Sequence, residues 1–395
     1  MPFLLFETKQ DKDFLLPLTY FRDISNIRIG IFKIYEKWER YLQDKAHIFT
    51  GDYLQEKYPF GDNYDLFIRS IFLPDKNLVK AVGNLKVGVV LLDEEGDIIT
   101  FRTREKIDPG KDFDIEKITA HFQSKRLSGL RKLTRPHDLI AYNADEIGND
   151  AENAGFTRTY MSNRDVHISG EYPVYIGAGT RLIGVYLDAR EGPVFIGENV
   201  TILPFSYIKG PAAVMENSVV KAGTQIYEGT TLGPGTKAGG EIKNVLFFGN
   251  SNKGHNGYLG DSVVGEWCNF GAGTSNSNLK NNYSEVKMWH IASKRFEPTG
   301  RRFLGLVMGD FSKTAIHTRF NTGTVVGVAS NIFTPDFPPK FVPSFNWGGG
   351  GFNHDHDVEK ALETAKIVYV RRGKTFTHID EKIFREVYRL VRDKE

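Results

Sequence analysis

The sequence predicts an α/β N-terminal domain, then a three-sided, left-handed parallel β-helix built from hexapeptide repeats, then a helical C-terminal extension. Three observations predict it. Aliphatic residues recur every six positions at Ile196, Ile202, Ile208, Val214, Val220, Ile226 and Leu232, with small Ala238 next. Gly, Pro, Asn and Thr crowd the positions between them. The segments on either side lack this period and mix strand-like and helix-like patterns. A period of six matches neither the 3.6 of a helix nor the simple alternation of a two-faced strand. It matches a coil with three flat sides, where one inward aliphatic per side joins a continuous core that no single coil could bury.

Residues 1–165 read as the α/β domain. LLFETK is a first strand, and residues 31–43, IFKIYEKWERYLQ, form an amphipathic helix. LFIRSIFLP is a strand, and LKVGVVLLDEEGDIITF is a hairpin turning at EEGD. RPHDLIAYNADEIGNDAENAGF supplies helical linking segments.

Residues 166–335 form the coil. Ile176 and Leu182 start the spacing, and Val264, Phe270, Phe320, Val326 and Ile332 resume it. Two segments break the register, LDAREGP and LFFGNSNKGHNG. Insertions in repeat folds tend to leave as loops on the binding side, so the second is expected to protrude and to carry chemistry. Residues 336–395 begin with the Pro/Gly-rich DFPPKFVPSFNWGGGGF. Two helices follow, VEKALETAKIVYVRR and DEKIFREVYRLVRD, expected to cap the last coil. His354 and His356, in NHDHD, lack a matching ligand set and read as a solvated loop, so no metal site is predicted.

Composition narrows the function classes. The 395 residues are 40% hydrophobic and 25% charged, with a net charge of +2 and scattered basic residues, which argues against a nucleic-acid partner. One cysteine, Cys268, forms no internal disulfide and suits a reducing compartment. The opening MPFLLFETKQDKDF has too short an apolar run for a signal-peptide core, and no stretch reaches the roughly 20 apolar residues that cross a bilayer. A cytoplasmic location without a membrane partner is expected.

The stretch GEIKNVLFFGNSNKGHNGYLGDSVVGEWCNFGAGTSNSNLKNN holds the residue types that acetyl transfer to an amine requires. A neutral imidazole, His255, accepts a proton near pH 7. A carboxylate, Glu241, can hold its tautomer. A cation, Lys243, can hold a phosphate, and the amides of Asn269 and Asn278 can orient polar groups. Taken singly, a lone His is more often structural and a lone Lys more often a solvated charge.

The pattern H-x-x-Y-L-G-D-S, then N-x-G-A-G-T, then a further Asn, resembles the acetyltransferase half of the bifunctional glucosamine-1-phosphate N-acetyltransferase / N-acetylglucosamine-1-phosphate uridyltransferase family, GlmU. Here it runs through His255, Tyr258 to Ser262, Asn269, Gly271 to Thr274, and Asn278. The likeness is sharp over residues 219–279. The strings SNKGHNGYLGDSVVGEWCN, RIGIFKIYEKWE and FNTGTVVG also resemble an alternative GlmU-like sugar nucleotidyltransferase group of Bacteroidetes-type bacteria.

The resemblance implies roles residue by residue. His255 matches the general base and Glu241 the carboxylate that orients it. Lys243 matches the lysine on the sugar phosphate. Lys221 stands where the family has an arginine, keeping the charge without the bidentate fork. Tyr258 and Asn269 match sugar-side contacts, and Ala272 and Asn278 match acetyl-CoA contacts. Leu279 replaces a family tyrosine, and WHIASKRFEPTGRRFLGLVMGD reads as an insertion. The implied partners are an amino-sugar phosphate and acetyl-CoA, and the implied assembly is a homotrimer with sites between adjacent coils.

Leu16-Pro17-Leu18-Thr19, with Arg22 following, resembles a sugar-phosphate nucleotidyltransferase segment, and Arg28 stands in for that family's lysine. Thr19, Arg22 and Arg28 are the nucleotide-binding candidates this implies, with NTP as substrate and Mg2+ required if the domain is active. The loop ETKQDKDF lacks the glycines that let backbone N–H groups approach phosphates, and Asp23 replaces a proline. Two rivals stand beside acetyl transfer: a nucleotidyltransferase whose coil is only a trimerisation scaffold, and a non-catalytic assembly module.

Overall fold

The structure, a computed structural model, describes residues 2–58, 61, 64–105, 107, 113–157, 165–348 and 354–395. Two compact units result: one from residues 2–15, 22–27 and 32–134, the other from 16–21, 28–31 and 135–395. The helix Asp138–Asn153 therefore goes with the coil.

The N-terminal unit is built on a six-stranded mixed sheet. Its order is Ala46–Phe49, Phe3–Phe6, Leu66–Arg69, Ile98–Arg102, Val89–Leu92, Gln123–Arg126. The unbroken apolar run of Phe3–Phe6 is buried along its whole length, as a central parallel strand must be. The hairpin forms as predicted, Val89–Leu92 against Ile98–Arg102. The predicted helix starts later, at Ile34, because the Lys33 N–H is capped by Glu36 Oε2 at 2.7 Å. It buries Trp38, whose Nε1–H donates to the Phe72 carbonyl at 3.3 Å.

The second unit is a parallel β-solenoid with three stacks of short strands. On one face Val194 pairs with Ala212 and Ala212 with Thr230; on the next, Thr201 with Val219 and Val219 with Lys237. Each step is 18 residues, three hexads per coil. The inward positions form columns, such as Ile208, Ile226, Ile242 and Leu259 on the third face, all essentially inaccessible. Among the described residues no helix is long and apolar enough to cross a membrane.

Two expectations are corrected. The segment around residue 250 is not a protruding loop. It continues the coil, with Phe247 in the strand Glu241–Gly249 and Asn252–Lys253 pairing with Lys237–Ala238. Here the steps shorten to 15 residues (Lys237 to Asn252) and 17 (Asn252 to Asn269). A shortened coil shifts the hexad phase just as an insertion would. The true excursion comes later: Val263 pairs with Val307, and the residues between, after continuing the coil through Asn276, include an antiparallel hairpin, Lys287–His290 with Arg295–Pro298.

The C-terminal helices, Val358–Arg371 and His378–Lys394, do not sit on the end of the last coil. They lie along the corner between the first and second faces, where Trp267, Phe311 and Phe345 hold positive φ of 64°, 62° and 53°. Tyr369 stacks on Trp267 at 4.0 Å, and Phe384 meets Phe311 at 5.4 Å and Phe345 at 5.5 Å. Bulky side chains rarely take this backbone conformation, and packing against the helices offsets its strain. His354–Asp355 pair antiparallel to Asn346–Gly348, and the buried His356 ring meets Asn331 Nδ2 and the Ala329 carbonyl, both at 3.0 Å. The glycine run at 349–351 and Asn353 lie outside the described residues.

Replacing Ile226 by Ala removes the middle of an inward column. It should lower unfolding free energy by about 2–5 kcal/mol, read as a reduced denaturant midpoint at unchanged slope.

Candidate functional site

The corner between the second and third faces carries a groove of about 410 Å³. Stacked turns line it: Lys221 and Ala222, Gly239 and Gly240, Gly254 to Asn256, Ala272 and Gly273, and His317. Register explains the gathering, since side chains at one corner of successive coils become neighbours whatever their separation in sequence. Three of the sequence candidates, Lys221, His255 and Ala272, meet here.

The others fall on the faces beside the groove. Glu241 opens the strand that leaves it at Gly240, and its N–H bonds to the Gly257 carbonyl at 3.2 Å. Glu241 and Lys243 alternate outward on the third face, on either side of inward Ile242. Among the described residues no hydrogen bond joins His255 to Glu241. The Lys243 ammonium pairs with Glu228 at 3.2 Å, and Lys209 joins Glu228 at 3.4 Å. Burial raises the Glu228 carboxyl, but hydrogen bonding and both ammoniums outweigh it and hold the group below its ordinary range.

Tyr258 stands beside Glu241 in register, and its hydroxyl accepts from Asn278 Nδ2 at 2.9 Å. Asn278 also donates to Asp261 at 2.6 Å. Burial, with the charges of Asp261 and Glu241, pushes the Tyr258 phenol up to about 12, so it stays protonated at neutral pH. Asn269 lies on the second face, where its Oδ1 accepts from Asn252 at 2.7 Å.

Two residues of this region escaped the sequence reading. His317 lines the groove and its N–H bonds to the Ala272 carbonyl at 2.7 Å, but the hairpin excursion separates the two in sequence and hides the register. Lys253 occupies an inward position of the second face, in the column Leu182, Ile202, Val220, Ala238. It is 1% exposed and donates to the carbonyls of His255 at 2.6 Å, Gly239 at 3.2 Å and Asn256 at 3.2 Å. Burial pushes its ammonium down to about 8. The available signal was a lysine where the column calls for an aliphatic.

Comparison with known proteins bears on both units. Residues 3–159 match the sugar nucleotidyl transferase family model, a stretch that stops before the solenoid. The bifunctional protein GlmU of Methanocaldococcus jannaschii is 28% identical over 88% of this chain and 78% of its own length. Over most of its length the chain is similar to that GlmU. A bifunctional sugar-1-phosphate nucleotidylyltransferase/acetyltransferase of Sulfurisphaera tokodaii is 33% identical over 41% of this chain, which spans 46% of that protein. The polySia specific acetyltransferase NeuO shows 13% identity and a TM-score of 0.30, covering 51% of this chain and 97% of its own. The solenoid assignment rests on strand register and not on that likeness.

In the N-terminal unit, charged groups collect after the strands Phe3–Phe6 and Leu66–Arg69. Arg69 grips Asp11 through two bonds of 2.9 and 2.7 Å and reaches Asp97 at 3.2 Å. Lys132 holds Asp93 at 2.7 Å and also Asp97, and Lys12 pairs with Asp52. Burial pushes the Glu7 carboxyl well up. A Mg2+ site needs open carboxylate oxygens, and this set of aspartates is already balanced by cations, so it does not fit one. The three nucleotide-binding candidates are buried. Thr19 and Arg28 belong to the solenoid unit, with the Arg28 guanidinium on the Ile31 carbonyl, and Arg22 belongs to the N-terminal unit.

The groove depends on turns that exclude a Cβ. Gly257 holds φ of +123°, and a Cβ there would lie 2.2 Å from the Thr274 carbonyl oxygen of the next coil. Gly223 holds φ of +70° with nothing within 4 Å. Gly257→Ala should therefore cost more than Gly223→Ala, which carries backbone strain of only about 1 kcal/mol. Thermal unfolding of the two variants reads the difference, with the lower Tm in Gly257→Ala.

Proposed function

We propose that the groove transfers an acetyl group from acetyl-CoA to the amine of glucosamine-1-phosphate or a related amino-sugar phosphate. The observation that carries this reading is that Lys221, His255 and Ala272, from turns far apart in sequence, line one groove. The bifunctional relatives support it.

In this reading the neutral His255 imidazole takes a proton from the sugar amine as its nitrogen attacks the thioester carbonyl. The new C–N bond forms, the C–S bond breaks, and coenzyme A leaves as its thiol. Glu241, where the strand leaves the groove, orients the imidazole once substrate closes the site. Lys221 and Lys243 hold the sugar phosphate, which competes with Glu228 for the Lys243 ammonium. Tyr258 and Asn269 face the sugar, while Ala272 and Asn278 face the acyl-CoA arm, and a groove lined by Gly239, Gly240, Gly254 and Gly273 leaves room for that arm. The chain works in the cytoplasm as a homotrimer, whose neighbouring solenoid completes the site, and the product feeds cell-envelope synthesis.

The match of residues 3–159 to sugar nucleotidyl transferases favours a second reading, nucleotidyl transfer in the N-terminal unit with the solenoid as trimerisation scaffold. Pyrophosphate release from NTP, sugar 1-phosphate and Mg2+ without any thiol release would select it.

The test of the first reading is thiol release from acetyl-CoA against a panel of amino-sugar 1-phosphates. His255→Ala should slow turnover by roughly 10²–10⁴-fold with circular dichroism unchanged. An unaltered rate removes His255 as the base. Sedimentation should give a mass three times the 44.7 kDa of one chain.

A further inference from the structure

We propose that Lys253 is a positioning residue for His255, an internal clamp whose ammonium holds the glycine-flanked turn of the groove from inside the solenoid. The proposal rests on the acetyl-transfer reading for its consequence, and on the geometry of Lys253 for its substance.

The inward column of the second face calls for apolar side chains. Leu182, Ile202, Val220 and Ala238 precede Lys253, and Phe270 follows it on the next coil. An aliphatic chain of similar length would fill the same space without desolvating a charge. The lysine carries that cost and returns no carboxylate pair: among the described residues no acidic side chain lies in ion-pairing range of its Nζ. What it gains is three carbonyls, those of Gly239, His255 and Asn256, and each belongs to the groove wall. The shortest bond, 2.6 Å, falls on the His255 carbonyl itself. The backbone that carries the imidazole is thus tied from beneath while the ring remains exposed in the groove.

An ammonium has three donors and meets three acceptors; a neutral amine has two. Only the charged form satisfies all three carbonyls at once. Ala238 and Phe270, its register partners, do not titrate. Lys237, the preceding residue on the strand below, is exposed, as is the His255 ring; Lys313, on a coil above, donates to the Phe311 carbonyl at 2.8 Å. Burial, with no charged partner, lowers the Lys253 group to about 8. The folded protein therefore binds the Lys253 proton less tightly than the unfolded chain. By linkage, raising pH through about 8 favours the ordered turn over an opened one, and the charged three-carbonyl clamp is the form present below that value.

Two arms test this on the full-length protein. In the first, amide hydrogen exchange at pH 7 is compared between wild type and Lys253→Met at Glu241 and Gly273, whose N–H groups bond to the Gly257 and Asn256 carbonyls of the turn. Lys253→Met, which preserves volume, should lower protection at these two amides while those of the Ile226 column keep theirs. In the second, Lys253→Met should lower kcat by roughly 10–10²-fold with KM nearly unchanged.

Unchanged protection in the variant overturns the clamp, as does a kcat equal to wild type. Where wild type transfers no acetyl group to any amino-sugar phosphate, the functional reading fails by itself, and the exchange arm still decides whether Lys253 orders the turn. Should Lys253→Met fail to fold, Lys253→Gln takes its place in both arms, with the same expected and overturning results.

Discussion

Parallel in-register stacking, with one inward side chain per face per coil, is the constraint on which the second unit depends. A single coil cannot bury its aliphatic residues, so each relies on the coil above and below. The columns Ile208, Ile226, Ile242, Leu259 and Val214, Leu232, Phe247, Val264 are the result. The same constraint builds the site. If inward residues stack, the corner residues between them stack too, and Lys221, Gly239, His255, Ala272 and His317 come together without any local motif bringing them there.

That dependence explains what could be read beforehand. Hydrophobic period is a strong signal, and it located the coil, the hairpin at EEGD and the helix around Trp38. It failed where spacing changed while stacking did not. The steps from Lys237 to Asn252 and from Asn252 to Asn269 are shorter than 18 residues, so the segment looked like an excursion while the coil ran straight through it. The C-terminal helices were legible as helices, but their seat was not. It is marked only by Trp267, Phe311 and Phe345 at corner positions where other coils place Asn199 and Asn217, a substitution visible once the corners are aligned in space. Within the candidate site, His255 and Ala272 were readable from the resemblance, whereas His317 lay beyond the hairpin and Lys253 looked like part of a polar loop.

Charge is used in opposite ways in the two units. After the first strand of the N-terminal sheet, Arg69, Lys132 and Lys12 are met by Asp11, Asp97, Asp93 and Asp52, so acids and bases neutralise one another. Such a network orders the strand ends while leaving little net field for a triphosphate and few open oxygens for a cation. The resemblance to sugar nucleotidyl transferases thus lives in the pattern of the chain more than in an exposed constellation of charges. A fold can keep its topology after its site has changed use.

The groove on the solenoid is not neutralised in this way. Its lining residues include the Lys221 ammonium and no carboxylate. Glu241, Glu228 and Asp261 stand on the adjoining third face, where Lys243, Lys209, Asn278 and Tyr258 engage or flank them. A cleft of one sign attracts ligands of the other, so phosphate-bearing molecules are drawn in and a free ammonium is disfavoured. On the acetyl-transfer reading proposed above, an amino-sugar phosphate would meet both tendencies at once, its phosphate held and its nitrogen pressed toward the neutral form. That would lower the work left to the imidazole, because a nitrogen that enters already inclined to give up its proton needs only a base held in the right place. The backbone of residues 254–257, where Lys253 grips the His255 and Asn256 carbonyls from the core, would then set where that base sits.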